Sequence, residues 1–447
     1  MQKCTIRGIF VAMTLNDQQK RAYTQAMTGG NLLITGPAGT GKSYVLGEII
    51  DELETRGQHV AVTGTTGMAA VNINGTTIHS FLGTRLYSSR AEAEQALDSG
   101  SLEVSVRLHQ RLNGTDVVVI DEVSMLTGDY LEMMDWWLCN VCRSQQPFAG
   151  KQVILCGDFL QLPPVVTPDR RPKYVMAFQS PVWDDLKATT VQLTQSFRQE
   201  NQEFVRMLLE LRAGQVTPQT LQAFGPCIGR PLENPTRLFS RNDQALQFNL
   251  RKLRLIEGTE RLYVASFGGD SKYYEKLKKY VASDAELYLR VGALVLILVN
   301  DKDKRFVNGT KGVVKAMRDY VIEVEIVDQS NPLRGKVVEI KPYTFGYRNG
   351  DGEVLATMEQ FPLKLAWAMT IHRCQGQTLD TLQVDLSSVF TGGQAYVALS
   401  RVRSIEGLSL DRSLDPSRIY ADRTALEFYL ALENSKNSQD LSVENST

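Results

Sequence analysis

Residues 36–43 read Gly-Pro-Ala-Gly-Thr-Gly-Lys-Ser. This matches G-x-x-x-x-G-K-[ST], in which glycines let the backbone curl around a polyphosphate while the following helix aims its first amides and its dipole at the anion. The context fits. Residues 31–35, Asn-Leu-Leu-Ile-Thr, form a short buried-strand pattern, and 44–53 have the composition of a helix. Gly36, Pro37, Ala38, Gly39, Thr40 and Gly41 are therefore candidates for the cradle, Lys42 for the β- and γ-phosphates, and the Ser43 hydroxyl for magnesium. The expected ligands are ATP and Mg2+. A dinucleotide G-x-G-x-x-G reading fails, because Tyr44 stands where the third glycine would be.

Working outward, apolar runs alternate with helical patterns from residue 14 to about 190, with strands expected at 32–35, 60–63, 117–120, 153–156 and 191–193. That rhythm predicts an α/β fold with a mostly parallel sheet. Residues 80–113 interrupt it with a polar, helix-prone insert, read as a small subdomain perched on the sheet. A helix at 202–211 closed by Gly214, a strand at 237–240 and a helix through 253 follow. From 287 the pattern turns to β, with a turn at Val307-Asn308-Gly309-Thr310 and further strands at 313–314, 321–326 and 337–340. The α/β rhythm returns at 361–370 and 381–386 and ends in a helix at 423–432. Residues 434–447 are polar and Ser/Asn-rich, which predicts a disordered tail.

The chain has 447 residues, 43% hydrophobic and 22% charged, enough for about two to four globular domains. No apolar run is long enough to span a membrane, and 9–13 is too short for the apolar core of a signal peptide, so a cytoplasmic location of bacterial or phage type and no membrane partner are expected. Six cysteines stand at 4, 139, 142, 156, 227 and 374. A lone C-x-x-C, Cys139 and Cys142, on an amphipathic helix beside Trp136 and Trp137 reads as buried thiols in a reducing compartment rather than as a zinc site. With a net charge of −1, a nucleic-acid partner must be met by a local groove and not by a globally basic body.

Val117-Val118-Val119-Ile120-Asp121-Glu122 is an apolar strand delivering two carboxylates at its C-terminal end, where ligands bind in open α/β sheets. Asp121 is placed to hold magnesium and Glu122 to orient or deprotonate the attacking water. Gln161, in Gly157-Asp158-Phe159-Leu160-Gln161-Leu162-Pro163-Pro164, follows another buried strand and is a candidate sensor of the γ-phosphate. Gln19 opens the first helix, where its amide can meet the adenine edge. Arg198, in Gln195-Ser196-Phe197-Arg198-Gln199, and Arg401, in Ala398-Leu399-Ser400-Arg401, are candidates for a guanidinium pushed at transition-state charge. The Thr-rich loop after the strand at 60–63 can donate hydroxyls and amides to phosphates, and a histidine can stack on an exposed base.

Together with Thr63-Gly64-Thr65-Thr66-Gly67-Met68-Ala69-Ala70, Gly75-Thr76-Thr77-Ile78-His79-Ser80-Phe81, Pro147-Phe148-Ala149-Gly150, Ala366 through Thr378 and Ala395 through Arg401, these segments resemble superfamily 1 helicases, specifically the petite integration frequency (Pif) family of the 5′-to-3′ branch. The resemblance covers roughly residues 14–412. Gly64, Ala149 and Cys374 depart from its usual residues. It implies two RecA-like P-loop NTPase domains, 1–190 and 191–300 with 360–433, binding ATP between them and single-stranded DNA across both. It further implies that 301–359 is a Src-homology-3-like β insert and 80–113 a wedge-bearing subdomain for the duplex junction. Gly376 then joins the nucleotide contacts, and Thr65, Thr66, His79 and His372 become DNA contacts.

The implied activity is ATP-dependent, 5′-to-3′ DNA unwinding in replication, repair, recombination or telomere-type maintenance. Single strands and single-strand/duplex junctions are the implied partners, quadruplex DNA a further one, and the acting species a monomer. The alternative is a DNA-stimulated ATPase that remodels nucleoprotein without separating strands.

Overall fold

Residues 15–444 are described by the computed structural model, except 85–86, 101, 103, 167–170, 282, 302, 304, 328–330 and 349–352. Cys4, the stretch 9–13 and the final residues 445–447 lie outside the described residues. Six strands form one wholly parallel sheet: β1 (Leu32–Thr35), β2 (Val60–Gly64), β3 (Thr76–Thr77), β4 (Val117–Asp121), β5 (Gln152–Gly157) and β6 (Thr189–Gln192). Their order is β3-β2-β4-β5-β1-β6.

The continuous apolar runs follow from burial on both faces. Successive side chains point to opposite sides, so Leu33, Val118, Ile120, Val153 and Leu155 enter one core while Leu32, Ile34, Val117, Val119, Ile154 and Cys156 enter the other. The second core is covered by the helices Asp17–Met27, through Ala22 and Ala26, and Lys42–Thr55, through Val45, Leu46, Ile49 and Leu53. Each of the Val, Leu and Ile side chains contributes about 1.5–3 kcal/mol on burial. The strand register aligns Thr35 with Gly157 and Gly64 with Asp121. The chemistry-bearing loops thus leave the same edge of the sheet.

The first core also takes in the insert. Helices Arg90–Asp98 and Val106–Asn113 bury Ala93, Ala96, Leu108 and Leu112 alongside Trp137 and Met134 of the helix Gly128–Cys142. The segment 80–113 is therefore not merely perched on the sheet; it shares the sheet's core. Cys139 and Cys142 are half-buried, not buried, because they lie toward the solvent side of that helix. Among the described residues no cluster of three or more His, Cys, Asp or Glu could hold a metal ion. No helix among them is long and apolar enough to cross a membrane.

Residues group into two compact units. One comprises the described residues through Pro231 with Gln375–Asp380 and 385–444, and the other Leu232–Cys374 with Thr381–Val384. This division differs from the boundary at 190/191 read from the sequence, and it places Arg401 in the same unit as the phosphate loop. The tail reading needs correction as well. The last helix is Arg423–Glu444, beyond the expected end at 432. Glu, Lys, Gln and Leu in this stretch are good helix formers.

The second unit holds a short parallel sheet and an extensive antiparallel region. β7 (Thr236–Phe239) pairs in parallel with β18 (Ala368–Thr370) and β19 (Leu382–Val384). A five-stranded antiparallel sheet has the order β14-β13-β12-β11-β17, with β11 (Leu294–Ile297), β12 (Lys311–Met317), β13 (Ile322–Ile326), β14 (Val337–Ile340) and β17 (Leu363–Leu365). A second antiparallel sheet joins β9 (Ser266–Gly269), β15 (Tyr343–Arg348) and β16 (Val354–Gln360), and β8 (Arg261–Val264) pairs with β10 (Glu286–Leu289). The all-β segment of 301–359 is thus hydrogen-bonded into sheets whose other strands lie outside it.

One buried cluster holds the first unit together. Asp158 is fully buried and accepts from Arg212 Nε at 3.0 Å and Nη2 at 2.7 Å. The Tyr429 hydroxyl on the last helix meets Asp158 Oδ1 at 3.1 Å, Thr35 Oγ1 at 2.6 Å and the Phe159 amide at 3.2 Å. Burial alone would raise the Asp158 carboxyl, but the Arg212 guanidinium outweighs it and holds the group below the usual carboxylate range. A depressed folded-state value adds stability above the ordinary carboxylate pKa, and that stability is lost as pH falls through the folded value. Replacing Tyr429 by Phe keeps the ring but strands the Phe159 amide, and should cost about 1–3 kcal/mol. Urea unfolding monitored by circular dichroism measures it; an unchanged midpoint would mean that the helix is not clasped through this hydroxyl.

Candidate nucleotide site

The loop 36–43 joins β1 to the helix Lys42–Thr55, and its three glycines are forced: at Gly36, φ +143°, a Cβ would lie 2.1 Å from the Leu193 carbonyl oxygen. Gly41 caps that helix at φ +79°, and a Cβ there would lie 2.6 Å from Gln19 Nε2. Gly39, at φ +80°, would place a Cβ 2.7 Å from the Cβ of Arg198. Larger residues at any of these positions meet both backbone strain and collision. Lys42 Nζ donates to the carbonyls of Gly36 at 2.8 Å and Pro37 at 2.9 Å. Phosphate would exchange these neutral acceptors for charged ones. The Ala38 amide donates to the buried Tyr396 hydroxyl at 2.7 Å, fastening the loop to the helix Gln394–Leu399.

In front of the loop lies a cavity of about 370 Å³, within the range of ordinary ligand pockets. It brings together Gln19, Ala38, Gly39, Thr40, Gly41, Lys42, Ser43, Asp121, Glu122, Gln161, Arg198, Gly376 and Arg401 from the sequence-derived set. Gly36 and Pro37 do not line it; their carbonyls hold Lys42. Gln19 is buried and forms a capping box, its Oε1 accepting from the Asn16 amide at 3.1 Å and Asn16 Oδ1 accepting from its amide at 2.8 Å. Gln161 is buried, with Nε2 donating to Asp158 Oδ2 at 3.3 Å.

The two carboxylates differ. Asp121 is buried at the end of β4; burial first, then the Glu122 charge, push its carboxyl up to about 7. A bound dication reverses that balance by favouring the ionised form. Asp121 and the exposed Ser43 hydroxyl face the same cavity, so this donor set suits a hard cation that completes its shell with phosphate oxygens and water. Glu122 sits in the left-handed region, φ +54° and ψ +46°, and donates its amide to Asp121 Oδ1 at 2.9 Å. Its carboxylate accepts from Gln375 Nε2 at 2.9 Å.

The two arginines are anchored differently. Arg198 Nη1 donates to the Ser400 carbonyl at 2.9 Å. Arg401 is 1% exposed, with Nε on the Val397 carbonyl at 2.7 Å and Nη2 on the Ser400 hydroxyl at 2.8 Å. Both guanidiniums therefore rest on the turn that ends the helix Gln394–Leu399.

A family profile described as PIF1-like helicase matches residues 14–222. The chain is 36% identical to the ATP-dependent DNA helicase Pif1 of Bdellovibrio bacteriovorus, over 94% of this chain and 92% of that one. The chain belongs to the PIF1-like helicase family. The crystal structure of Pif1 helicase from Candida albicans superposes at a TM-score of 0.82 with 33% identity, covering 94% of this chain and all of the other. A Bacteroides Pif1 helicase in complex with ADP-AlF3 and single-stranded DNA matches at 0.73 and 30%, covering 94% and 98%.

The residues proposed for DNA stand outside the cavity. Thr65 donates its hydroxyl to the Glu122 carbonyl at 3.0 Å and its amide to the Asp121 carbonyl at 3.3 Å. Thr66 Oγ1 accepts from the Ala69 amide at 3.1 Å, capping the helix Gly67–Asn72. The half-buried His79 packs its ring against Tyr130 with centroids 4.4 Å apart, and burial pushes it down to about 4, so it is neutral at physiological pH. His372, half-buried, belongs to the second unit, and burial lowers it as well.

Sequence reasoning missed Tyr44, Phe197, Thr378 and Arg403, which also line the cavity in this PIF1-like helicase, and Gln375, which holds Glu122. Phe197 stands immediately before Arg198, and the aromatic-arginine pair was the available signal. Replacing Lys42 by Ala should abolish measurable ATP hydrolysis while leaving the thermal midpoint of the unliganded protein nearly unchanged, because only two loop carbonyls lose a partner. Turnover within tenfold of the parent would remove the phosphate-loop assignment.

Proposed function

We propose that this ATP-dependent DNA helicase moves 5′ to 3′ along single-stranded DNA. The observation that carries its chemistry is the convergence of Lys42, Asp121, Glu122, Gln161, Arg198 and Arg401 on one cavity. In this reading the loop amides and Lys42 bind the β- and γ-phosphates. Ser43 and Asp121 would hold Mg2+, which would supply charge neutralisation for the polyphosphate. Glu122 takes the proton from the attacking water, and Gln161 reads the γ-phosphate. Arg198 and Arg401 meet the charge that develops in the transition state. Gln19 contacts the base edge, with the exposed Phe197 ring offering a stacking face.

The strand contacts assigned to Thr65, Thr66, His79 and His372 belong to the same reading. Hydrogen bonds from Thr65 to the backbone of Asp121 and Glu122 support it, because a phosphate on that loop would act directly on the segment bearing the base. The wedge role for 80–113 and the Src-homology-3-like character of 301–359 are part of it too. The acting species is a monomer in the cytoplasm, working at single-strand/duplex junctions, with quadruplex DNA a further substrate to assay. Polarity is tested with forked duplexes carrying only a 5′ or only a 3′ tail. Unwinding of the 5′-tailed substrate alone is expected; equal release from both, or release only from the 3′ tail, would overturn the polarity. ATP turnover stimulated by DNA with no strand release from either would favour the remodelling ATPase.

Arg401 yields a sharper outcome. A lysine there keeps much of the buried volume but cannot reproduce the planar fork. Arg401→Lys should cut DNA-stimulated hydrolysis by about 10³-fold, the scale of a guanidinium acting on transition-state charge. Single-strand affinity, read by fluorescence anisotropy, should hold. Weakened DNA binding with normal saturated turnover would make Arg401 a strand anchor instead.

A further inference from the structure

Gln375 is 6% exposed and belongs to the unit that contains the nucleotide cavity. Its Nε2 donates to Glu122 Oε2 at 2.9 Å, while its Oε1 is buried with no hydrogen-bond partner. A buried carbonyl oxygen left unpaired costs about 1–3 kcal/mol. Here the orphan belongs to the same carboxamide that holds the Glu122 carboxylate; Glu122 and Gly376, the next residue, at φ +79°, both line the cavity, while Gln375 stands just behind its wall.

A water that attacks phosphorus must present a lone pair forward, so both of its O–H bonds need acceptors behind. Glu122 alone fixes one of them. We infer that Gln375 is a positioning residue for ATP hydrolysis: its Oε1 accepts the second O–H of the attacking water while its Nε2 fixes the rotamer of Glu122. This rests on Glu122 being the base. In the step, the water oxygen forms the new bond to the γ-phosphorus as the bond to the β,γ-bridging oxygen breaks, with that electron pair leaving on ADP. One water proton passes to Glu122. Gln375 gains and loses no proton, which suits a carboxamide, and it supplies an acceptor that the carboxylate cannot provide from one direction.

The contact also explains why a glutamine suits the place. Glutamate would set two carboxylates against each other in a buried site, asparagine would fall one methylene short, and an aliphatic chain would keep the packing while offering neither group. Glu122 is held in a left-handed backbone conformation, so its carboxylate depends on an outside partner for its aim.

The test uses the full chain with Gln375→Met, which preserves volume, and Gln375→Asn, which preserves the amide but not its reach. Saturated, DNA-stimulated kcat should fall about 10- to 100-fold in both, the range for a mispositioned nucleophile. The KM for ATP, the affinity for a fluorescent ATP analogue, single-strand affinity and the thermal midpoint should all stay near those of the parent. In a Glu122→Gln background, Gln375→Met should add almost nothing, since the two groups act on one water. Parent-like turnover of Gln375→Met, alongside a collapsed Glu122→Gln, overturns the Gln375 role and leaves the base intact. A Glu122→Gln variant that retains turnover overturns the base and the inference with it. Raised turnover of Gln375→Met would show that the contact restrains Glu122 instead of aiming it, and a parallel loss of thermal stability or DNA affinity would reduce Gln375 to a structural role; either result overturns the proposal.

Discussion

A carboxylate cannot be taken out of water unless its charge is answered, and the fully buried Asp158 is answered from three directions. Arg212 approaches from the helix Gln202–Ala213, Tyr429 from the helix Arg423–Glu444, and Gln161 from the loop that carries Asp158 itself. The Arg212 guanidinium also lies 4.8 Å from the centroid of the Tyr429 ring. Two helices far apart in sequence are thereby fixed on the loop that presents Gln161 to the nucleotide cavity. Gln161 is pressed from one more side, since Gly393 lies so near that a Cβ there would sit 2.3 Å from the Gln161 carbonyl.

The same economy of contacts links the loop after β2 to the chemistry. Thr65 spends its hydroxyl on the Glu122 carbonyl and Thr66 spends its own on a helix cap. Thr65 already donates both its hydroxyl and its amide, so an anion there would compete with existing bonds, whereas Thr66 Oγ1 only accepts and its O–H can still be donated. Tyr396 plays a comparable part on the other side, joining the Ala38 amide to the helix whose last turn carries Arg401. The loop 36–43 is thus held by a neighbour of the buried Arg401, which lines the same cavity.

Much of this was legible in the sequence because its signals are local. The residues 36–43, the strand ending in Asp121-Glu122 and the turn at Val307–Thr310 declare themselves within ten residues, and five of the six strands of the parallel sheet fall within two residues of their expected ends, the two-residue β3 being the one not expected. What stayed hidden depends on distant partners: Gln375 meets Glu122 across 253 positions, Tyr396 meets Ala38 across 358, and Tyr429 meets Thr35 across 394. No periodicity carries such information. The tail was misread for a different reason, since polar composition predicts lack of burial more directly than lack of helix.

Glu122 adopts φ +54°, a region that a residue with a side chain enters only at a cost of about 1–3 kcal/mol. Glycine would sit there without penalty, and asparagine with less. With Glu122 as the proposed base, selection for heat resistance alone would drift toward discarding this glutamate, giving a sturdier protein that binds nucleotide and idles. The position is a place where durability and turnover pull the chain in opposite directions.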